Sequence, residues 1–476
     1  MRDWWPDLTS ESAAEADRSV LEAADRPTAP LVFAFVKSKL PTPSAVLAEL
    51  RNPLVRNGHL LTLSSGLTAL LGLAYWTVAA RFYDAAALGR NNAAISMMML
   101  VAAIAQLNLH SAMVRFVPTA GGRTMRIVAG VYLVSSGVAL VVGALSVLLI
   151  RFVSPRTDFF EGSLAPSMFV VATVGYTIFV IQDGVLTGLR RTAVVPLENF
   201  VFALLKLVVV VALAAAMPHQ GIFASWTVCV IAVVLAVSVF LFTRAIPHRR
   251  NNDRADTLPP FRQLARFVAF DYIGEISAVA AMTLMPVFVI SVLGAEQSAY
   301  FAIAWLIAFS IHQINLNMGS SLVVESSLDQ SALAGYARHV LTHTSKFLIL
   351  IVLVVLVAGP YVLAIFGPDY RQADGTLRLL CLAALPHLLV TVGISSARTQ
   401  RRMGLVLGIQ LMQSGLAIPM TLLLLHFMGL AGAGLAWLIT QSLIAGGLLI
   451  RRDLWLTLGN TVPAARPGRV GGEGVL

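Results

Sequence analysis

The run from Glu198 to Ala216, ENFVFALLKLVVVVALAAA, is apolar at every position after Asn199 except Lys206. An apolar segment of this length spans a bilayer as a helix. An acid at its start and an amine in its middle take their meaning from what surrounds the segment. Across the chain 57% of residues are hydrophobic and 12% are charged, too few for the surface of a soluble domain of this size. Similar apolar runs recur along almost the whole sequence, which makes the fold class an all-α, polytopic membrane protein. The alternating pattern of a membrane β-barrel is absent.

Twelve transmembrane helices are predicted, at about 59–81, 91–115, 126–150, 165–189, 193–217, 221–243, 266–293, 297–323, 345–366, 375–398, 404–427 and 430–450. The net charge of +10 is mostly arginine parked in alternate loops. Arg115, Arg123 and Arg126 lie in one, Arg190 and Arg191 in the next, and Arg398, Arg401 and Arg402 in a later one. The longest loop, TRAIPHRRNNDRADTLPPFRQLAR (Thr243–Arg266), holds six arginines between Arg244 and Arg266. This is the positive-inside pattern of a cytoplasmic membrane protein with both termini in the cytoplasm, not the footprint of a nucleic-acid binder.

The expected organisation is a cytoplasmic, largely disordered tail over 1–50, a six-helix lobe over 51–243, a cytoplasmic linker over 244–265, a second six-helix lobe over 266–452 and a flexible tail over 453–476. No loop is long enough for a folded domain, and no GxxxxGK[ST] phosphate cradle exists. Cys229 and Cys381 fall in apolar spans and read as buried small hydrophobes. Neither a disulfide framework nor a metal site is expected, and no cofactor is. The halves echo each other: Gln106-Leu107-Asn108-Leu109 in the second span matches Gln313-Ile314-Asn315-Leu316 in the eighth. Repeats of this kind place a substrate path between them.

Ionisable groups inside a bilayer are costly unless they face protein or water. At 1.5 Å per residue, Glu198 lies roughly 8 Å and Lys206 roughly 20 Å into the fifth span. Asp183, in the preceding span, sits at about the depth of Glu198. Asp183, Glu198 and Lys206 are therefore expected to form a polar core in the first half, with Lys206 associated with an acid, Glu198 or Asp183, directly or through water. Its role is either structural or in transport. Asp271 and Glu275 share one face of the seventh span. Such acids serve either ion coupling or ion pairing. Gln106, Asn108 and His110 in the second span, and His312, Gln313, Asn315 and Asn317 in the eighth, are either cavity groups or interhelical hydrogen-bonding groups.

Three segments carry a resemblance: RFYDAAALGRNNAAISMMMLVAAIAQLNLHSAMVRFVPTAG (81–121), IQDGVLTGLRRTAVVPLENFVFALLK (181–206) and LGAEQSAYFAIAWLIAFSI (293–311). They resemble the bacterial Wzx-type polysaccharide flippases of the multidrug/oligosaccharidyl-lipid/polysaccharide superfamily. The resemblance covers roughly 57–452 and implies two lobes around a central cavity. It also implies transfer of a polyprenyl-(pyro)phosphate-linked oligosaccharide to the outer leaflet, with glycosyltransferases and a polymerase as pathway partners and membrane lipids around it. On that reading the amides of the second and eighth spans meet sugar hydroxyls. Arg81, Arg115, Lys206 and Arg378 are the candidate phosphate partners, and no residue is catalytic. Three rivals remain: a cation-coupled drug antiporter of the same superfamily, an unrelated small-solute transporter, and a membrane enzyme of envelope glycan assembly. Against the antiporter, Leu60–Ala80 holds no acid. Against the enzyme, the outer loops are hardly more than turns.

Overall fold

A computed structural model describes residues 70–153, 165–247, 261–328 and 332–451, the side chains of 151–153, 261–271 and 328 excepted. Both predicted tails, most of the linker and the side chain of Asp271 lie outside the described residues. The first half contains α1 (Leu70–Phe82), α2 (Ala85–Ala105), a short α3 (Leu109–Phe116), α4 (Thr124–Val153), α5 (Ala165–Gly188), α6 (Val194–Ala214) and α7 (Gly221–Phe240). The second contains α8 (Phe261–Leu293), α9 (Ala295–Leu328), α10 (Leu333–Ala364), α11 (Asp374–Leu382), α12 (Ala384–Thr399), α13 (Met403–Met428) and α14 (Leu430–Ile450).

Among the described residues, eleven helical segments are long and apolar enough to cross a membrane, and α1 is the described part of the first predicted span. The protein is a multi-pass membrane protein. Its outer surface bears this out: α4 presents Leu133, Leu140, Leu145 and Leu149, and α10 presents Phe347, Leu350, Leu353 and Val357, all exposed. Such stripes are stable only where the solvent is hydrocarbon.

Within the first half α5 is central and packs on α2, α3, α4 and α7, while α6 leans mainly on α7. Within the second half α9 packs on α10, α11 and α12, and α13 joins α8 to α14. The two halves meet where α2 lies against both α8 and α9. Glycine makes that approach possible. The side-chain direction at Gly89 on α2 points straight at the Ala295 carbonyl and the Ala299 nitrogen of α9, so no Cβ fits there. At the same end of the molecule the Arg81 guanidinium donates to the Ile365 carbonyl from Nε (3.1 Å) and Nη2 (2.6 Å). This clasp ties the end of α1 to the end of α10, so that face of the joint is closed.

The second predicted span is not one helix. It breaks at Gln106–Asn108, where Leu107 and Asn108 adopt φ of 51° and 52°. Asparagine tolerates this left-handed region, but leucine rarely does. Tyr272 of α8 donates to the Ile104 carbonyl at 2.5 Å just before the break and so anchors the frayed end across the joint. The tenth predicted span is likewise divided, into α11 and α12. The QLNL/QINL echo therefore spans a break in one half and lies within a continuous helix in the other.

Candidate functional site

Two chambers adjoin at Met282 of α8, which lines both. Pro286, one turn on, has no N–H to bond the Met282 carbonyl, which leaves that oxygen free of the helical ladder. The first chamber, of about 410 Å³, lies at the joint between the halves. Its walls carry Trp76 (α1), Tyr176 (α5), Trp226 (α7) and Trp305 (α9), with Asn92, Ser96 and Gln106 from α2. The second, of about 380 Å³, lies within the second half between α8, α9, α12 and α13. Its polar lining includes Ser320, His387, Thr391, Arg398, Gln410 and Gln413. No acid lines either chamber among the described residues.

Behind the wall of the first chamber sits Lys206. Its ammonium lies 4.4 Å from the Trp226 ring centre, 4.8 Å from Tyr75 and 5.1 Å from Phe202. Three electron-rich faces therefore replace the expected carboxylate. The cage is itself braced: Tyr75 bonds Ser225 at 3.0 Å, and Phe202 meets Trp226 edge-on at 5.4 Å. No direct ion pair joins Lys206 to Glu198 or Asp183 among the described residues. Two turns of α6 separate Lys206 from Glu198, about 12 Å along the axis, with Phe202 midway between them on the helix. Glu198 is buried with both carboxylate oxygens unpartnered, and Asp183 lies beside Asn199 and His110.

The other expected cavity groups are distributed differently. Gln106 lines the first chamber. Gln313 and Asn317 are exposed on α9, and Gln313 falls one turn from Phe309 and one from Leu316, which line the first and second chambers. His312 and Asn315 instead turn into the second lobe. His312 Nε2 donates to the Leu380 carbonyl at 3.1 Å, and Asn315 Nδ2 donates to the Ala384 carbonyl at 2.8 Å. Asn315 Nδ2 also lies 3.2 Å from His387 Nδ1, which must then be an acceptor. These two side chains fasten α9 to the backbone on either side of the α11–α12 junction. Asn108, at the break, is buried. His110 Nδ1 lies 2.9 Å from the Val180 carbonyl and fastens α3 to α5.

The proposed phosphate arginines are engaged elsewhere. Arg81 clasps Ile365. Arg378 pairs with Asp374 one turn away at 2.9 Å, as exposed helical pairs do. Arg115 lies over the edge of Phe116, with the guanidinium carbon 5.8 Å from the ring centre. Neither chamber includes any of them. Glu275 is partly buried on α8 and lines neither chamber. The residues overlooked in the sequence are the four large rings, Arg398, and the amides Gln410 and Gln413. The last two stand three apart in an apolar span, the same signal that singled out Gln106 and Asn108.

Comparison with solved structures gives one consistent picture. A lipid II flippase, MurJ, in an inward closed conformation, matches with a TM-score of 0.68 at 12% identity, over 83% of this chain and 87% of that one. The fold is that of the MOP-superfamily transporters. An inward-facing multidrug resistance MATE family transporter of that superfamily matches at 0.60 and 16% identity, over 83% of this chain and 96% of that one. A MOP superfamily transporter from Pyrococcus furiosus matches at 0.56 and 15%, over 84% and 95%. No protein-family model and no curated protein sequence matches the chain.

Proposed function

We propose that this chain is a flippase, not an enzyme, and that it carries a lipid-linked oligosaccharide across the bacterial cytoplasmic membrane for envelope polysaccharide synthesis. One observation carries this reading: an acid-free chamber walled by large rings, with the Lys206 ammonium seated on the back of Trp226. Rings and neutral amides suit the faces and hydroxyls of a sugar. The caged positive charge opposes an organic cation at the same wall by like-charge repulsion across Trp226. The lipid chain stays in the bilayer, and pathway glycosyltransferases and a polymerase supply and consume the cargo.

One observation favours the superfamily's other activity, cation-coupled drug export. Glu198 is a buried carboxyl without a partner, the kind of group that couples transport to an ion. The two readings separate in vesicles. Reconstituted protein is expected to expose a fluorescent prenyl-diphosphate oligosaccharide to an external glycosidase and to leave an ethidium gradient unchanged. Ethidium movement without glycan exposure would replace the flippase with the antiporter.

The loop arginines support a cytoplasmic position for both termini, and on that reading the Arg81–Ile365 clasp is on the outer face. A reporter fused after Arg250 is expected to read as cytoplasmic and one after Asp158 as extracytoplasmic. The reverse at both positions would invert the assignment.

A further inference from the structure

We infer that the second chamber, between α8, α9, α12 and α13, is an oxyanion site for a phosphoryl group, with Arg398 as its cation and Gln410, Gln413 and His387 as its neutral donors. The inference deepens the transport reading above by naming the group that this part of the cavity takes. It stands on the chamber's own chemistry, beginning with the two amides. Gln410 and Gln413 are 7% and 6% exposed, line the chamber, and have no hydrogen-bond partner for their side chains among the described residues. Two amides that face one cavity with their bonding capacity unused mark it as a place where a polar guest completes the bonding.

The donors are held in position. Gln410 packs its Oε1 over Gly274 of α8, where only a glycine leaves room. That contact seats the end of the Gln410 side chain against α8. His387 Nδ1 is taken by Asn315 Nδ2, so Nε2 carries the ring proton. That N–H has no protein partner among the described residues, and its ring lines the chamber. Asn315 is thus a positioning residue that sets the tautomer through His387.

The charge balance gives the sign of the guest. Arg398 is exposed at the end of α12 and has no acid partner among the described residues. The described acids nearest in sequence to the lining are Glu325, two residues from Val323 on α9, and Glu275, three residues from Ala278 on α8, and both are outside the lining. A chamber whose described lining has one guanidinium, several N–H donors and no carboxylate favours an anion with several acceptor oxygens. A guanidinium matches phosphoryl oxygens in a two-pronged geometry. A neutral sugar would leave the charge unanswered, and a cation would be repelled.

The test uses the full chain, purified in a neutral detergent, with inorganic diphosphate, a short-chain prenyl diphosphate and the corresponding uncharged prenyl alcohol. Calorimetric titration and melting are read together. Both diphosphates are expected to bind and raise the melting temperature, and the alcohol is not. Arg398→Gln is expected to weaken diphosphate about tenfold to a hundredfold, and Gln410→Leu or Gln413→Leu each about two- to tenfold. Tighter binding of the prenyl compound would assign the site to a lipid-linked phosphate, and equal binding to a free or sugar-linked one. If Arg398→Gln fails to fold, Arg398→Lys serves instead. It keeps the charge and loses the two-pronged contact, so a smaller but measurable loss is expected. No binding of either diphosphate, or equal binding by wild type and both Arg398 variants, overturns the inference. Diphosphate binding with no glycan flipping would count against the transport reading alone.

Discussion

Gly89→Val is expected to hold the clasped face of the protein open. The position has no room: a side chain there enters the Ala295 carbonyl and the Ala299 nitrogen, both backbone atoms of α9 that cannot swing aside. Overpacking of this kind costs about 1–3 kcal/mol, and more where the neighbour is rigid. The cost falls only on the conformation in which α2 and α9 touch, so the folded lobes survive while the equilibrium moves by roughly 5- to 150-fold. Arg81→Gln is expected to act in the same direction, because it removes the charged donor to Ile365. Spin labels on cysteines at Phe82 and Ile365, both exposed, report the gap directly. The native Cys229 and Cys381 are buried and should label slowly. The label separation should lengthen in both variants. An unchanged separation in Gly89→Val would mean that the contact at α2 and α9 does not hold the face shut.

The spans were legible because hydropathy over some twenty residues reports the solvent, and here the solvent is hydrocarbon. What hydropathy cannot report is which way a polar side chain points within a bundle. Asn315 and Gln313 stand two apart on α9, and about 200° of helical rotation separates them. One bonds Ala384 deep in the second lobe and the other is exposed. The break at Gln106–Asn108 was hidden for a related reason. Its residues fit a helix by pattern, and the left-handed turn is held by tertiary contacts such as that of Tyr272 with Ile104. Arg398 reads in the sequence as one of three arginines that set orientation. Only the fold shows that it also lines a chamber while Arg401 and Arg402 do not. Lys206 reads in the sequence as too deep for easy escape to the cytoplasmic surface, but the rings around it were not foreseen. Sequence spacing makes acids conspicuous as partners and says nothing about rings contributed by α1 and α7.

That cage leads to the other large effect. With an acid partner, Lys206→Met would strand a buried carboxylate and cost about 3–5 kcal/mol. With three rings as partners it strands nothing. The rings lose a cation–π attraction of about 2 kcal/mol or more, while the fold is relieved of several kcal/mol spent on desolvating an ammonium. Methionine has nearly the same reach and packs well on aromatic faces. Lys206→Met is therefore expected to accumulate normally and to melt at or above the wild-type temperature. Lys206→Glu is expected to fail, because a carboxylate against the same ring faces is both desolvated and repelled. Glu198→Gln supplies the cross-check. If Lys206 and Glu198 are independent, their effects on stability add within about 0.5 kcal/mol; a hidden ion pair would show a coupling of up to about 3 kcal/mol. Function separates the roles further. Removing the positive charge behind Trp226 is expected to admit organic cations to the chamber, so Lys206→Met vesicles should move ethidium that wild-type vesicles exclude. A melting temperature that falls as far in Lys206→Met as in Lys206→Glu would show that the ammonium answers an acid after all, in a conformation where the cage has opened.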